Sequence, residues 1–229
     1  MKNIKELGKM MEELLGLNYP AVAVKLAKSH DDIPEGYSEI NDKIRHCEMI
    51  QKVRKEGIKF YATNENHLCK GGAHNIGVNQ SPNIEDLEIK LHVKMGNFKT
   101  HESSKKTMEL VPKIREQMYA SVYAPLSDAD FKPDSIVVIT TPKIGLRLSQ
   151  ALLYKKGGRI HASFAGTQSL CGDAVAAVKL NGTANATLAC NGSRKYAKIE
   201  DNEMVIAFPP SELENIIDAL KHFREAWNK

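Results

Sequence analysis

The chain has 229 residues and a formal net charge of +4, and 42% of its residues are hydrophobic, a composition that excludes fibrous and disordered classes. Basic and acidic residues number 32 and 28 and aromatics only 6%, so we expect no nucleic-acid partner. No apolar run approaches the ~20 residues of a membrane span, and the length fits a single domain over residues 1–229.

The first half of the chain alternates helical and extended patterns. Apolar residues at helical spacing predict helices, and β-branched runs predict strands. The predicted elements are a helix over 3–16, a strand over 20–27, a helix over 41–56, a strand over 58–63 and a helix that starts at about Cys69. Residues 80–100 give a mixed pattern, and residues 102–119 are broadly helical around Pro112.

The second half continues the alternation. Its predicted elements are a strand over 135–140, a helix over 144–155, a strand over 159–163, a helix from Cys171 to Val178, strands near 186–190 and 203–208, and a last helix over 211–227. Ser211 follows two prolines and is the expected cap of that helix. Strands that alternate with helices predict an α/β fold, here with a mixed sheet.

One stretch of the first half is similar to a stretch of the second. Residues 51–63 align with residues 150–163 with one insertion, and each then reaches a Leu-Cys pair followed by glycine, at Cys69 and Cys171. We interpret this as a duplicated strand–helix–strand–Cys–helix unit, roughly 20–80 and 134–180, with chance similarity as the alternative. Two such halves, related by a pseudo-twofold axis, would bring Cys69 and Cys171 to equivalent places that face each other.

Cysteine is the residue type with the most chemical potential in this sequence. The four cysteines are Cys47, Cys69, Cys171 and Cys190. The charged N-terminus predicts an amphipathic helix and not a signal peptide, so a reducing, cytoplasmic location is expected and a disulfide framework is not. Cys69 and Cys171 lie at predicted helix starts, where free N–H groups and the helix dipole lower the pKa of a thiol.

Glycine follows three of the cysteines within two positions, at Gly71, Gly172 and Gly192. Glycine lets backbone N–H groups approach a sulfur atom closely, an arrangement that suits anionic sulfur. These three glycines are therefore candidates for the backbone that surrounds a cofactor.

The spacing of the cysteines leaves several interpretations open. It contains no C-x-x-C pair and matches no zinc ribbon or ferredoxin pattern, and free cysteines are often merely small buried hydrophobes. Four thiolates satisfy either Zn²⁺ or an iron–sulfur cluster. A cluster carries sulfides that accept N–H bonds and suits glycine-lined turns, whereas zinc prefers paired ligands, so the pattern favours a cluster with zinc as the alternative.

Motifs over nearly the whole chain, about residues 7–222, resemble the domain-of-unknown-function family 169. The resemblance is carried by Cys47, residues 60–63 and 69–72, Pro125-Leu126 with Pro133-Asp134, residues 150–157, the Cys-x-Gly-Ser-Arg turn over 190–194, and Pro209. It implies a cytoplasmic protein of anaerobic archaea or bacteria whose four cysteines occupy the family's cysteine positions. It also places Arg194 on the motif, where this side chain could hydrogen-bond a cluster or, alternatively, brace the carbonyls of the turn.

Together these observations predict an iron–sulfur protein with one [4Fe–4S] cluster on Cys47, Cys69, Cys171 and Cys190, tuned by the glycine turns and Arg194. Four protein ligands favour electron transfer or a redox accessory role with a partner protein that the sequence does not identify. No membrane partner is expected, and homo-oligomerisation is left open. The alternatives are a zinc-stabilised binding or regulatory module, and a metal-free thiol enzyme that uses Cys69 or Cys171.

Overall fold

A computed structural model describes residues 3–227, with side chains through residue 225. The strands form one eight-stranded sheet. They are β1 (Val22–Ala27), β2 (Ser38–Glu39), β3 (Phe60–Thr63), β4 (Ala120–Pro125), β5 (Ser135–Thr140), β6 (His161–Ala162), β7 (Asn185–Thr187) and β8 (Met204–Phe208). The sheet is mixed, which confirms the predicted fold class.

The sheet has the same strand order in its two halves. β1 and β5 pair antiparallel at the centre, and the order outward is β4, β3, β2 on one side and β8, β7, β6 on the other. The outermost pair is parallel in each half, β2 with β3 and β6 with β7, whereas the pairs further in are antiparallel. β1, β2, β3 and β4 therefore correspond to β5, β6, β7 and β8.

Helices cover both faces of the sheet. The α-helices are α1 (Ile4–Leu15), α2 (His46–Glu56), α3 (Lys70–Asn75), α4 (Ile84–Lys94), α5 (His101–Glu109), α6 (Pro142–Leu153), α7 (Ala177–Asn181), α8 (Asn191–Ala197) and α9 (Leu213–Trp227). A π-helix, Ser169–Ala176, runs directly into α7. α1, α6 and α9 pack in the core on one face, whereas α2, α3 and the π-helix share the core on the other.

Alternate residues of the central strands supply the two cores, as expected for a sheet that is buried on both faces. Ile136 and Val138 of β5 face α1, α6 and α9, and Val137 and Ile139 face α2 and the π-helix. Of the helices in the described part of the chain, none is long and apolar enough to cross a membrane.

Two predicted helix starts are wrong by a few residues. α2 begins at His46 and not at Asn41, because Ile44 forms a parallel bridge with His67 and holds the preceding segment extended. α9 begins at Leu213, and Ser211 lies in a short 3₁₀ turn that precedes it. In both places a tertiary or local hydrogen-bond pattern replaces the turn that helical periodicity predicts.

The largest difference lies between residues 80 and 118. α4 occupies part of the segment whose pattern is mixed, and α5 ends at Glu109, well before residue 119. Pro112 prevents the helix from continuing, and beyond it Ile114 donates a backbone hydrogen bond to the Asn75 carbonyl at 2.8 Å. α4 and α5 form a helical hairpin with its own small core, Ile89, Met108 and Val111.

Candidate functional site: a cleft lined by four cysteines

The four cysteines line one cleft with a volume of about 410 Å³. They lie on separate elements of the same face of the sheet, in α2, before α3, in the π-helix and before α8. Glu88 and Leu91 of α4 and Met95, which follows it, also line this cleft. We call this space the cysteine cleft. The structure therefore brings together four residues that the sequence spreads over most of the chain.

The sheet topology pairs the cysteines differently from the sequence similarity. Cys47 lies in the first turn of the helix that follows β2, and Cys171 lies in the first turn of the helix that follows β6. Cys69 and Cys190 are the N-caps of short helices that follow β3 and β7. Cys69 is thus equivalent to Cys190, and Cys47 to Cys171. The interpretation that Cys69 matches Cys171 is wrong, because it aligns α2 with α6, which lie on opposite faces of the sheet.

Cys69 and Cys190 have the same local geometry. The Gly72 N–H donates to Cys69 Sγ at 3.3 Å, and the Ser193 N–H donates to Cys190 Sγ at 3.4 Å. In each case the thiol takes the place of the serine or aspartate that usually caps a helix. Ser193 Oγ also lies 3.1 Å from Cys190 Sγ, an interaction that Gly72 cannot provide for Cys69.

Cys171 Sγ lies at the floor of the cleft, where it accepts a hydrogen bond from Asn75 Nδ2 at 3.5 Å. A Cβ atom placed on Gly72 would lie 3.4 Å from Cys69 Sγ and 3.7 Å from Cys171 Sγ. Both sulfur atoms therefore lie within 3.7 Å of the position that a Cβ atom of residue 72 would occupy. The absence of a side chain at Gly72 keeps the space between these two sulfurs open.

The pKa values of the thiols follow from burial and from their mutual repulsion. Burial, together with repulsion from Cys190 and Cys69, raises the pKa of Cys47 to about 12. Burial also raises the pKa of Cys69, and it raises that of Cys171 well above the ordinary range. The expectation that helix starts lower the pKa at Cys69 and Cys171 is wrong, because desolvation outweighs the N–H groups.

Cys190 is the exception. Burial acts to raise its pKa, but hydrogen bonds from the Ser193 hydroxyl, the Ser169 backbone and the Ser193 backbone outweigh burial, so the pKa is lowered. Of the four thiols, this one forms a thiolate most readily. The other three would ionise together only if a positive charge lay between them, as a bound metal centre provides.

The cleft does not present the ligands of a single ion. Among residues 3–225, no three Cys, His, Asp or Glu side chains are grouped closely enough to hold one metal ion. Zinc requires its thiolates at about 2.3 Å from one point. A single zinc ion would therefore require the cysteine side chains to move closer together than they lie here.

Three of the other predicted site residues have structural roles and are not among the described residues that line the cleft. The Arg194 guanidinium donates to the carbonyls of Leu188 and Glu200 at 2.7 Å, and it also donates to that of Glu203. It therefore braces the turn, and it is not among the described residues that line the cleft. A Cβ on Gly71 would collide with the Glu88 carboxylate, and one on Gly172 would lie 2.7 Å from Val111. Gly192 is the one of the three predicted glycines that lines the cleft.

Two buried histidines lie beside the cysteines of the first half. His46 precedes Cys47, and its Nδ1 lies 2.7 Å from the Tyr123 hydroxyl, which donates to Ser121 Oγ. His67 Nε2 lies 3.0 Å from the same Ser121 Oγ. Burial lowers the pKa of His46 to about 4 and that of His67 to about 3, so both imidazoles are neutral near pH 7.

A chain of amides connects the cleft wall to the floor. Gln168 Nε2 donates to Glu88 Oε2 at 3.0 Å, and Asn75 Nδ2 donates both to Gln168 Oε1 and to Cys171 Sγ. Gln168 has a left-handed backbone with φ 48°, an uncommon conformation for a residue with a side chain. Sequence reasoning missed Glu88 because it missed α4. The available signal in the sequence was the spacing of Leu87, Leu91 and Met95, which stand four residues apart.

The fold and the four-cysteine cleft define an α/β protein with a candidate cofactor site, and the comparisons give its family. The chain belongs to the domain-of-unknown-function family 169, described as uncharacterised ArCR, whose model matches residues 10–219. The uncharacterized protein MJ0308 of Methanocaldococcus jannaschii is 54% identical over 227 residues, which cover 99% of this chain and 97% of that protein. No solved structure matches the chain. The resemblance identified from the motifs is confirmed.

Proposed function

We propose that the protein binds one [4Fe–4S] cluster through Cys47, Cys69, Cys171 and Cys190 and transfers electrons to or from a partner protein. The observation that carries this proposal is the position of all four cysteines around one cleft. All four are free thiols. Thiolates are the ligands that iron–sulfur clusters use, and the cytoplasm is the compartment in which free thiols persist.

The surroundings of the cysteines support a cluster over a single ion. The described residues group no three ligands around one point, yet four sulfurs share a cleft of about 410 Å³. The N–H groups of Gly72 and Ser193 already point at sulfur atoms. Thr167 Oγ1 lines the same cleft and, within the described chain, is buried with no hydrogen-bond partner. The sulfides of an iron–sulfur cluster accept hydrogen bonds from donors of this kind.

The chain's own residues would then set the properties of the site. A bound cluster supplies one-electron chemistry, and four cysteine ligands leave no iron position for a substrate. N–H donors on Cys69 and Cys190 stabilise negative charge on sulfur, which favours the reduced state. Exposed Leu68 and Met95 border the cleft, so the site is accessible from the surface.

One observation favours the thiol-enzyme alternative. The lowered pKa of Cys190, which its hydrogen bonds from Ser193 cause against the opposing effect of burial, gives one cysteine the character of a nucleophile. If so, the nucleophile would be Cys190 and not Cys69 or Cys171, whose pKa values burial raises.

Anaerobic purification followed by metal and sulfide analysis separates these functions. The cluster proposal predicts a brown protein with about four iron and four acid-labile sulfide per chain, and a paramagnetic signal after reduction with dithionite. One zinc per chain without sulfide would contradict the cluster proposal and support the zinc-stabilised module. The protein could instead be colourless and metal-free and resist reconstitution with iron and sulfide, with Cys190 alkylating fastest. This result would contradict the cluster proposal and support the thiol enzyme.

A further inference from the structure

The lining of the cysteine cleft includes a largely buried carboxylate. Glu88 of α4 lines both the cysteine cleft and a small adjacent cavity, and its side chain is only 13% exposed. It accepts a hydrogen bond from Gln168 Nε2 at 3.0 Å and lies against the backbone of Gly71, where any side chain would collide with it. The surrounding residues hold the carboxylate in one place.

In the described part of the chain no lysine or arginine pairs with this carboxylate. The Gly71 N–H group donates a hydrogen bond to it, and His74, which pairs with Glu85, attracts it electrostatically. The nearest basic group is His92 Nε2 at 3.8 Å, and burial lowers the pKa of this histidine, which favours its neutral form. One helical turn earlier, Glu85 pairs with Arg115 and lies 3.8 Å from Lys113 Nζ. Lys113 and Arg115, in the segment that follows α5, therefore lie near the outer carboxylate of α4 and do not pair with the inner one.

A buried carboxylate without a counter-charge is costly. Burial raises the pKa of Glu88 for this reason. A positive charge on a ligand in the cleft would remove the cost. The basic side chains on the lining do not supply it, because Arg45 pairs with Glu48 at 3.0 Å and Lys70 Nζ donates to the Asn64 carbonyl.

The cleft has room and apolar surface for such a ligand. Its volume of about 410 Å³ lies within the roughly 300–1,000 Å³ typical of small-molecule sites, and a cluster of eight atoms is smaller than the ligands such sites hold. Leu91, Met95 and Leu68 line the cleft and are 43%, 56% and 46% exposed. Apolar side chains that border an open cleft are suited to cover an apolar ligand body.

We propose that the cysteine cleft contains a second binding site, for a small organic cation such as a protonated amine with an apolar body, with Glu88 as its counter-ion. The ammonium group pairs with the Glu88 carboxylate, and the body packs against Leu91 and Met95. The site goes beyond electron transfer. It depends on the cleft and on Glu88 and not on the presence of a cluster.

Three probes that share one ring and differ in charge test this site: benzylamine, benzyl alcohol and benzoate. They are titrated by NMR into the reduced, metal-free protein at pH 7, and into the anaerobically purified protein. Benzylamine, which is cationic at this pH, should bind with the lowest Kd. Glu88→Gln keeps the shape and removes the charge, and it should raise this Kd at least about tenfold, the effect of losing a charged hydrogen bond.

Glu102→Gln is the matched control, because it removes one negative charge from an exposed position on the neighbouring helix α5. It should leave the Kd of benzylamine within about twofold, as expected for a screened surface charge. Equal binding of the amine and the alcohol, tighter binding of benzoate, no saturable binding of the amine, or equal Kd values in the wild type and Glu88→Gln would each overturn the proposal.

A second pair of variants tests the apolar wall independently of Glu88. Leu91→Ala should weaken benzylamine and benzyl alcohol by a similar factor, several-fold for the loss of apolar contact. Leu87→Ala makes the same substitution on the same helix, at a residue that does not line the cleft. It should change the Kd of neither benzylamine nor benzyl alcohol. Iron and sulfide content of Glu88→Gln should equal that of the wild type, so failure of this site and failure of the cluster proposal give different results.

Discussion

Cys69 and Cys190 occupy equivalent positions in the two halves of the sheet, yet their chemistry differs. Both cap a short helix, and both accept a hydrogen bond from the N–H group three residues later. That third residue is Gly72 in one half and Ser193 in the other. The serine hydroxyl adds a second donor to Cys190, whose pKa is lowered, whereas burial dominates at Cys69, whose pKa is raised. The Ser193 hydroxyl, together with hydrogen bonds from Ser169, thus distinguishes two sites that share one cap geometry.

The residues that precede the cysteines also differ between the halves. His46 and His67 precede Cys47 and Cys69 in the first half, and leucines stand at the equivalent places, Leu170 and Leu188, in the second. The first half therefore carries a buried polar network beneath its cysteines, which Tyr123 and Ser121 complete. Two halves with one topology supply different electrostatic surroundings to a shared site.

The largest expected effect tests whether the two halves contribute equally. Each single Cys→Ser variant should lower iron and sulfide content at least about tenfold, since loss of an outer-shell partner alone typically costs about 10–100-fold. The measurement is metal and sulfide analysis after anaerobic purification. Leu188→Ser, at an exposed position two residues before Cys190, is the control and should keep its cluster. A cluster that survives Cys47→Ser would instead indicate three ligands and an open iron position.

The next effect sharpens the contrast between Cys69 and Cys190. In reduced, metal-free protein at pH 7, Cys190 should alkylate fastest, and Ser193→Ala should slow it about tenfold. The reason is that a hydrogen bond to a charged group contributes about 1.5–3 kcal/mol, and 1.4 kcal/mol is a factor of ten. Iodoacetamide labelling with peptide mass spectrometry measures each site. Cys69 is the internal control, and an unchanged rate at Cys190 would show that the hydroxyl does not set its pKa.

The smallest effect concerns the histidines of the first half. Unfolded histidine has a pKa near 6.5, and burial lowers that of His46 to about 4 in the folded protein. Its contribution to stability is therefore complete above pH 6.5 and is lost as the pH falls through 4, by up to about 1.4 kcal/mol per pH unit. Long-range ¹H–¹⁵N NMR should show a neutral His46 ring at pH 5.5. A protonated ring at that pH would contradict the buried network.

Much of the fold was predictable because its signals are local. Residues 135–140 form a strand as expected, since a continuous β-branched run fits a sheet buried on both faces. α1 follows from its apolar stripe. α4 was missed because residues 80–100 give a mixed pattern in the sequence, and the helix starts after Asn83, whose φ of 64° is left-handed.

The four cysteines that line the candidate site could be selected from the sequence, but the residues around them could not. The four cysteines could be chosen from the sequence, because few residue types bind soft metals. Cys171 was expected at a helix start, but it lies inside a π-helix that begins at Ser169 and is buried among apolar neighbours. Arg194 looked like a cluster partner, but its guanidinium is occupied by three carbonyls. Such contacts depend on segments that meet only after folding.

The sequence by itself determined the mixed α/β architecture, the family and the identity of the four thiols, because these depend on residue type and on periodicity within a few turns. The tertiary structure alone decided that Cys69 corresponds to Cys190, which thiol ionises first, and that Glu88 lines the same cleft with no lysine or arginine paired to it in the described chain. The physical reason is that desolvation and charge pairing are set by the groups that pack around an atom, and distant segments of the chain supply most of those groups.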